Sequence, residues 1–346
     1  MARVDLTVMG AGIFGLACAW EALRRGARVR VIESVAIGAG SSGGLVGALA
    51  PHVPENWNPK KQFQLESLLM AQGFWQGVAA ASGLSPGYAR LGRWQVLADA
   101  EAVARAQARA DEAAVLWRGQ ALWRVVPLKG AAWEPVSPAG FLIEDTLTAR
   151  LHPRMAAAAL VAAIRARGGE VVLGEAAPEG AVIWATGHAG LVDLNAALGK
   201  RVGSGVKGQS ALLRLAVPDQ PQIYAPGLHV VPHEDGTVAI GSTSENEWDD
   251  ARSVDGQLEE LLAKAEQVCP ALHGAEVVER WAGVRPRARS RAPMLGAWPG
   301  RAGQFIANGG FKIGFGMAPK VAAVMADLVL EGRDTIPQGF RVEDCL

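Results

Sequence analysis

The sequence has few cysteines and no long apolar segment. Its 346 residues include only Cys18, Cys269 and Cys345. An odd number of cysteines without a CxxC pair argues against a disulfide framework and a zinc site, so we expect no metal and a reducing, cytoplasmic location. The longest apolar run, residues 9–20, is shorter than the ~18 residues that span a bilayer, which predicts no membrane span.

The chain also has no excess charge of either sign. Lys+Arg and Asp+Glu number 34 each, and the formal net charge is zero. This balance excludes a generally basic nucleic-acid-binding protein and an acidic solvating tail. Half of the residues are hydrophobic, so the chain can bury a large core, and its length predicts two domains of roughly 100–200 residues each.

The pattern of apolar runs predicts an alternation of helices and strands. A strand at 4–9, a helix at 13–25 and a strand at 28–32 form a parallel βαβ unit within about 30 residues. Further helices are predicted at 60–81, 99–118, 153–167, 254–268 and 317–330. Further strands are predicted at 94–97, 171–173, 182–184, 211–217, 229–231, 238–240, 277–284 and 304–306.

A GxGxxG motif lies between the first strand and the first helix. Gly10 permits the sharp turn, Gly12 lets the backbone approach a pyrophosphate, and Gly15 lets the helix pack on the strand. The N-terminus of the helix supplies unpaired N–H groups for phosphates. Glu33 closes the next strand, where a carboxylate accepts hydrogen bonds from ribose hydroxyls and repels the 2′-phosphate of NADP. This motif alone does not distinguish NAD from FAD.

Three further segments resemble the glycine oxidase / D-amino acid oxidase family of FAD-dependent amine oxidoreductases. Residues 38–48 resemble the second glycine-rich stretch of the family, which lies along the flavin. Residues 182–187 resemble its apolar strand ending in Ala-Thr-Gly, and residues 308–319 resemble its C-terminal turn and helix. The segments follow the order of the family, although the stretch between 173 and 182 is shorter than usual.

The resemblance implies an α/β fold with non-covalent FAD. A Rossmann-type FAD-binding domain (1–57, 147–200 and 290–346) would be interwoven with a smaller, mostly antiparallel β-sheet substrate domain (58–146 and 201–289). The helix at 317–330 would direct its positive N-terminus toward the flavin and favour its reduction. The implied FAD-binding residues are Gly10, Gly12, Ile13, Phe14, Gly15, Glu33, Ser34, Ser41, Ser42, Gly43, Gly44, Leu45, Ala185, Thr186, Gly187, Gly309, Gly310, Phe311, Lys312, Ile313 and Gly314.

Five arginines between 280 and 291 have three interpretations: a nucleic-acid-binding stripe, a solvated turn, or a substrate site at one of them. Trp281-Ala282-Gly283-Val284-Arg285-Pro286 resembles the W-x-G-x-R-P of the family, which implies that Arg285 binds the substrate carboxylate. The planar guanidinium suits that role because it donates two parallel hydrogen bonds. The remaining arginines are expected at the surface.

The resemblance adds Tyr224, His229 and Lys312 as catalytic residues. Family members related to glycine oxidase have tyrosines at the first two positions, so His229 departs from the pattern and introduces a group that can titrate near neutral pH. Lys312 would bind a carboxylate or stabilise charge when oxygen accepts electrons, with a surface lysine as the alternative. Packing roles for Tyr224 and His229 also stay open.

The expected reaction is oxidative deamination of a D-amino acid, glycine or an N-methyl amino acid, with hydride transfer to flavin N5 and O2 or an electron carrier as acceptor. One alternative is a dehydrogenase that passes electrons to a quinone or carrier protein. Others are a tRNA-modifying flavin oxidase, suggested only by the arginine cluster, and a flavin-binding module without turnover. Nucleic acid is not an expected partner, and a homo-oligomer remains open.

Overall fold

The computed structural model describes residues 4–346, which fold around two large sheets. The strands are β1 (Leu6–Met9), β2 (Val29–Glu33), β3 (Ala48–Leu49), β4 (Arg93–Val96), β5 (Trp123–Pro127), β6 (Phe141–Asp145), β7 (Ala149–Arg150), β8 (Glu170–Leu173), β9 (Ala181–Trp184), β10 (Gly203–Arg214), β11 (Gln222–Ala225), β12 (Leu228–Pro232), β13 (Thr237–Gly241), β14 (Glu276–Ala288), β15 (Met294–Ala297) and β16 (Gln304–Asn308). The helices are α1 (Ile13–Arg24), α2 (Pro59–Ser82), α3 (Ala100–Leu116), α4 (Pro153–Ala166), α5 (Gly187–Leu198), α6 (Gly256–Val268) and α7 (Gly314–Glu331).

The first sheet has the order β15-β16-β9-β1-β2-β8. Its strands run parallel except β15, which pairs antiparallel with β16. Helix α1 is buried along most of its length, and its side chains share one core with those of α4 and α7. Because parallel strands end at the same edge, the segments that follow β1, β2, β9 and β16 converge there.

The second sheet has the order β14-β10-β13-β12-β11-β4-β6-β5 and is antiparallel except for the β4–β11 pair. One of its faces packs on α6, where Ile223 and Val230 contact Leu261 within a buried cluster. The opposite face packs against the glycine-rich loop (residues 38–47), where Leu45 is buried with Val231. The glycine-rich loop therefore lies between the first sheet and the second.

The fold class expected from the sequence is confirmed, and several elements need correction. Helix α7 begins at Gly314 instead of 317, and β10 begins at Gly203 instead of 211. The sequence does not predict strands β3, β5, β6, β7, β11 and β15 or helix α5. The strands of the first sheet fall within 1–57, 147–200 and 290–346 and those of the second within 58–146 and 201–289. The domain boundaries themselves stay a proposal.

Two further observations concern membrane-spanning helices and the three cysteines. Among residues 4–346 no helix combines the length and the apolar character needed to cross a membrane. Cys18, Cys269 and Cys345 are buried as free thiols. Burial raises the pKa of Cys18 to about 12 and that of Cys269 to about 11, so neither thiol ionises near neutral pH.

Candidate active site

The predicted cofactor residues meet at the carboxyl edge of the first sheet. Gly10 follows β1, Ala185 follows β9, and Gly309 follows β16. Gly10 has a φ of 101°, and a Cβ on it would lie 2.6 Å from the carbonyl oxygen of Ala185. A Cβ on Gly15 would lie 2.0 Å from the carbonyl oxygen of Gly10, so helix and strand pack at a distance that only glycine allows.

Gly12 differs from the other two glycines of this turn. A Cβ there would meet only the hydroxyl of Ser42, at 3.2 Å, so the surrounding protein leaves space in front of it. The Ser42 hydroxyl itself accepts a hydrogen bond of 3.0 Å from the N–H of Ile13 at the start of α1. Open space before a helix N-terminus is what a pyrophosphate requires, and the fit to a dinucleotide is therefore good.

Glu33 holds the loop that surrounds this turn. Its carboxylate accepts the N–H groups of Ala11 at 2.8 Å and Val35 at 3.0 Å. A carboxylate has about four lone-pair positions, so acceptor capacity remains for the ribose hydroxyls expected there. Its neighbour Ser34 is exposed.

The C-terminal turn completes the predicted cofactor site. A Cβ on Gly310 would lie 2.8 Å from the ring of Phe14 on α1, and one on Gly314 would lie 3.5 Å from Ile13. Asn308 donates from Nδ2 to the carbonyl of Gly187 at 2.9 Å, which joins β16 to the start of α5. No side-chain hydrogen bond from its N-cap, Ile313, closes the start of α7 within residues 4–346, so its N–H groups can serve a ligand.

The glycine-rich loop contributes the remaining predicted residues. A Cβ on Gly43 would lie 2.5 Å from the carbonyl of Gly38, and Gly44 lies against the ring of Trp281 on β14. Gly38 donates its N–H to the carbonyl of Ala11 at 3.1 Å. The predicted residues not yet placed are Ser41 and Leu45 in this loop, Thr186 after β9, and Phe311 and Lys312 before α7.

The substrate residues lie on the face of the second sheet that packs against the glycine-rich loop. Directly opposed residues form one row across six strands, and opposed side chains share a face. In chain order the row comprises Gln95, Ser210, Tyr224, His229, Gly241 and Trp281. The rings of Tyr224 and His229 are 5.0 Å apart between centroids.

Arg285 lies two and four residues beyond Gly283 and Trp281 on β14, and so on the same face. It is 9% exposed, and its Nη1 donates to the carbonyl of Thr243 at 3.3 Å. Among the described residues no carboxylate forms a salt bridge with it. Burial, opposed by the charge of Glu245, lowers the pKa of Arg285 to about 10, so it remains a cation near neutral pH.

His229 and Lys312 lie near Arg285. Burial and the positive charges of Arg93, Lys312 and Arg285 lower the pKa of His229 to about 3. With this pKa His229 is neutral near pH 7. Partial burial and the charge of Arg285 also lower the pKa of Lys312, which keeps a solvent-accessible side chain.

Three polar atoms on this face lack a hydrogen-bond partner among residues 4–346: Nε2 of Gln95, Oγ of Ser210 and Nδ1 of His229. Gln95 is 7% exposed and Ser210 2%. Buried polar atoms without partners are costly, which is consistent with a polar ligand that binds there. Gln95 and Ser210 carry no motif that marks them in the sequence, because only strand register places them beside Tyr224 and His229.

Three further cations, Arg93, Lys207 and Arg280, lie next to carboxylates of the protein itself. Arg93, whose guanidinium is 5.4 Å from the Tyr224 ring, forms a buried salt bridge of 2.9 Å with Asp145. Lys207 on β10 is buried, and its Nζ lies 3.5 Å from a carboxylate oxygen of Glu245. Of the other clustered arginines, Arg280 pairs with Glu259 on the exposed surface, as expected.

The chain is similar to known proteins along most of its length. The family model described as FAD dependent oxidoreductase (DAO) matches residues 5–328. Glycine oxidase from Geobacillus kaustophilus is 27% identical over 372 residues, which cover 94% of this chain and 93% of that protein. The crystal structure of glycine oxidase from that organism superposes with a TM-score of 0.82 at 24% identity, covering 97% of this chain and 96% of the other. Iminodiacetate oxidase from Chelativorans sp. BNC1 gives 0.81 at 20%, covering 97% and 98%.

Proposed function

Because the chain belongs to the DAO family of FAD-dependent oxidoreductases, we propose that it oxidises a small amine that carries a carboxylate. Glycine, N-methyl amino acids and D-amino acids are the substrate class. The family membership makes the chain an FAD-dependent oxidoreductase, and the substrate is the new element of the proposal. The observation that supports this proposal is the position of Arg285, which is a buried cation on the face of the second sheet that packs against the glycine-rich loop.

The residues around the turn of β1 fit FAD. The space in front of Gly12, the Glu33 carboxylate and the start of α7 would hold its pyrophosphate, ribose and flavin ends respectively. When bound, FAD supplies the two-electron acceptor, so that the carbon–nitrogen single bond of the substrate becomes an imine, which water hydrolyses to an oxo acid and ammonia or an amine.

Arg285 binds and orients the substrate in this proposal. Its guanidinium is desolvated, and its one hydrogen bond, to the carbonyl of Thr243, leaves other N–H groups free to grip a carboxylate. A salt bridge formed in a buried site is stronger than one in water because the local dielectric is low. Fixing the carboxylate at one point orients the Cα–H bond of the substrate, which is a proximity effect.

The neutral row beside Arg285 would bind the amine. His229, Gln95 and Ser210 offer uncharged donors and acceptors, and Tyr224 covers the His229 ring. A histidine with a pKa of about 3 is a poor proton acceptor, so we propose that the amine enters in its neutral form and that His229 positions it without taking its proton.

Lys312 favours a second substrate group, the dicarboxylic amines. Burial and the positive charge of Arg285 lower the pKa of Lys312. The two cations therefore lie in one region, and a monocarboxylate neutralises only one of them. The matched positive charge would suit D-aspartate, D-glutamate or iminodiacetate. Equal reactivity of monocarboxylic and dicarboxylic amines would remove this candidate.

The test is an anaerobic titration of the FAD-loaded protein followed by visible spectroscopy. Each carboxylate is paired with the amine that lacks it: glycine with methylamine, D-alanine with ethylamine. Bleaching of the flavin band by a member with a carboxylate, and not by its partner, is expected. Bleaching by both members of each pair would contradict the role of Arg285, and bleaching by none would contradict amine oxidation.

The electron acceptor is decided by a second measurement. Oxygen uptake during turnover, with one peroxide formed per imine, is expected of an oxidase. Turnover only with a quinone analogue would favour the dehydrogenase alternative. RNA that co-purifies with the protein and raises turnover would favour the tRNA-modifying alternative. The arginine cluster gives it little support, since Arg280 already pairs with Glu259.

A further inference from the structure

A cluster of three potential metal ligands lies outside the proposed active site. His152, His233 and Asp235 each offer one ligand atom, and the three atoms lie within 4.8 Å of one another. We propose that they bind a divalent transition metal of the zinc class. The sequence predicted no metal site, because the cysteine pattern offered none and His152 lies far along the chain from His233 and Asp235.

His233 is the strongest indication of a ligand. It is 0% exposed, and among residues 4–346 neither Nδ1 nor Nε2 has a hydrogen-bond partner. A neutral imidazole normally donates from one nitrogen and accepts at the other. Burying both without a partner costs free energy that a metal bond would offset. The ring of His152 meets it edge to face, with centroids 4.6 Å apart.

Asp235 is held with one oxygen toward the cluster. Its Oδ1 accepts from both the N–H (3.1 Å) and the hydroxyl (2.6 Å) of Thr237. The other oxygen, Oδ2, lies 3.6 Å from Nε2 of His152, too far for a direct hydrogen bond. A carboxylate that is oriented by neighbouring donors is the usual arrangement of an acidic metal ligand.

The donor set selects the metal class. Two imidazoles and one carboxylate suit Zn²⁺, with bonds of about 2.0–2.2 Å and ligand atoms roughly 3.3–3.5 Å apart in a tetrahedron. The separation of 3.6 Å between His152 and Asp235 is close to this spacing, and the wider limit of 4.8 Å requires a small approach of the exposed Asp235 turn. A water molecule would occupy the fourth position, since Asp235 is open to solvent.

A hydrogen bond of His152 and nearby positive charges oppose metal binding, and they limit the affinity of the site for Zn²⁺. Nδ1 of His152 accepts a weak hydrogen bond of 3.4 Å from the N–H of Met155, and binding through Nε2 would move the ring proton to Nδ1 and break it. Arg150 and the N-terminus of α4 are also positive, whereas Glu234 and Glu279 are negative neighbours of the cluster. Moderate affinity is therefore expected, without a permanently bound ion.

The site would join the start of α4 to the second sheet. His152 lies between β7 and α4, and His233 and Asp235 lie in the turn from β12 to β13. Because the cluster combines a residue from 147–200 with two from 201–289, a bound metal would cross-link segments that we assign to different domains. A ligand that binds the folded protein more tightly than the unfolded chain raises its stability by mass action.

The test uses the FAD-loaded protein after treatment with a chelator. We expect Zn²⁺ to bind with one-to-one stoichiometry by calorimetry and to raise Tm. Asp235→Asn keeps the acceptor for Thr237, removes the charged ligand atom and should lower the Zn²⁺ affinity at least tenfold. The matched control is His273→Gln, which removes an exposed histidine 3.5 Å from Glu266 and should leave the affinity unchanged. X-ray absorption at the zinc edge should show nitrogen and oxygen neighbours without sulfur.

Contrary outcomes are equally clear. Absence of one-to-one binding by the wild-type protein would overturn the proposal, and so would an equal Zn²⁺ affinity of wild type and Asp235→Asn. Retention of FAD and of wild-type Tm without metal shows that the variant is folded. His152→Gln is the second variant: it can keep a side-chain acceptor for the start of α4, and it should also lose Zn²⁺ binding.

Discussion

The guanidinium of Arg285 lies directly over the backbone of Gly208 on the neighbouring strand. A Cβ on Gly208 would lie 1.9 Å from Nη2 of Arg285 and 2.2 Å from its Cζ. Any residue other than glycine would therefore push the guanidinium from its position. The glycine between Lys207 and Gln209, which are both buried, thus determines where the proposed carboxylate ligand can lie.

Gly208→Ala should therefore impair substrate binding without removing the cofactor. We expect the KM for amino acid substrates to rise about tenfold or more, because displacement of one charge-assisted ion pair costs more than 1.4 kcal/mol. Steady-state kinetics and the flavin absorbance per protein are the measurements. Gly256→Ala, at a position where a Cβ meets nothing within 4 Å, is the control. An unaltered KM in Gly208→Ala would contradict the positioning role.

Arg285→Ala should raise the KM by two orders of magnitude or more and leave FAD bound, since the side chain is assigned to the substrate and not to the cofactor. Arg280→Ala is the matched control on the same strand, because Arg280 is exposed and pairs with Glu259. Loss of FAD from Arg285→Ala, or an equal rise in KM in both variants, would show that the assignment is wrong.

Gly12→Ala should separate cofactor binding from folding. The added methyl group would meet only the Ser42 hydroxyl, at 3.2 Å, and this side-chain atom needs to shift only slightly to admit it. The FAD-free protein should therefore keep its Tm, whereas FAD affinity should fall because the methyl group occupies the space proposed for the pyrophosphate. Dialysis against FAD followed by absorbance measures this. Gly73→Ala, in the middle of α2 with nothing within 4 Å, should keep full FAD binding. An FAD affinity of Gly12→Ala equal to that of the wild type would show that the pyrophosphate does not bind in front of residue 12.

His229 should make the protein less stable in acid. The pKa of His229 in the folded protein, about 3, lies below its ordinary value of 6.5. Below pH 6.5 the unfolded chain therefore binds a proton that the folded protein does not bind. The free energy of unfolding therefore falls by up to about 1.4 kcal/mol per pH unit between 6.5 and 3 from this group. Urea titrations between pH 4 and 7 should show a shallower dependence in His229→Gln. Parallel curves for the two proteins would contradict the burial of a neutral ring.

FAD should be released when the protein is precipitated with acid. A covalent thioether needs a reactive thiolate, and burial raises the pKa of Cys18 to about 12 and of Cys269 to about 11. We expect the yellow colour in the supernatant, measured by absorbance after centrifugation. Colour retained by the washed pellet would show a covalent bond.

The sequence predicted the cofactor half of the molecule better than the substrate half, and the reason is physical. The turn Gly10–Gly15 is determined by neighbours close in sequence, through a turn, a helix start and a strand that ends at Glu33. Only glycine fits sterically at positions 10 and 15, so the turn can be recognised from the sequence motif alone. Helix α7 was found from its apolar period, although its first turn contains Gly314 and Gly316 and was assigned to the preceding loop.

The substrate face depends on strand register, which the sequence does not state. Gln95 faces Tyr224 only because β4 pairs in parallel with β11, a pairing between strands far apart in the chain. The start of β10 at Gly203 was missed because Gly203 and Gly205 lower the strand propensity of a segment that is nonetheless paired throughout with β14. The same limit hid the approach of His152 to His233.

The contact between Gly310 and Phe14 has a consequence for the order of synthesis. During synthesis β1 and α1 are made well before the turn and helix that close the proposed cofactor site (residues 309–331). A nascent chain that ends before β16 lacks the parallel neighbour of β9 and the partner surface of Phe14. Flavin loading is thus expected only after residues 309–331 have been synthesised, and chains arrested at residue 300 should emerge colourless.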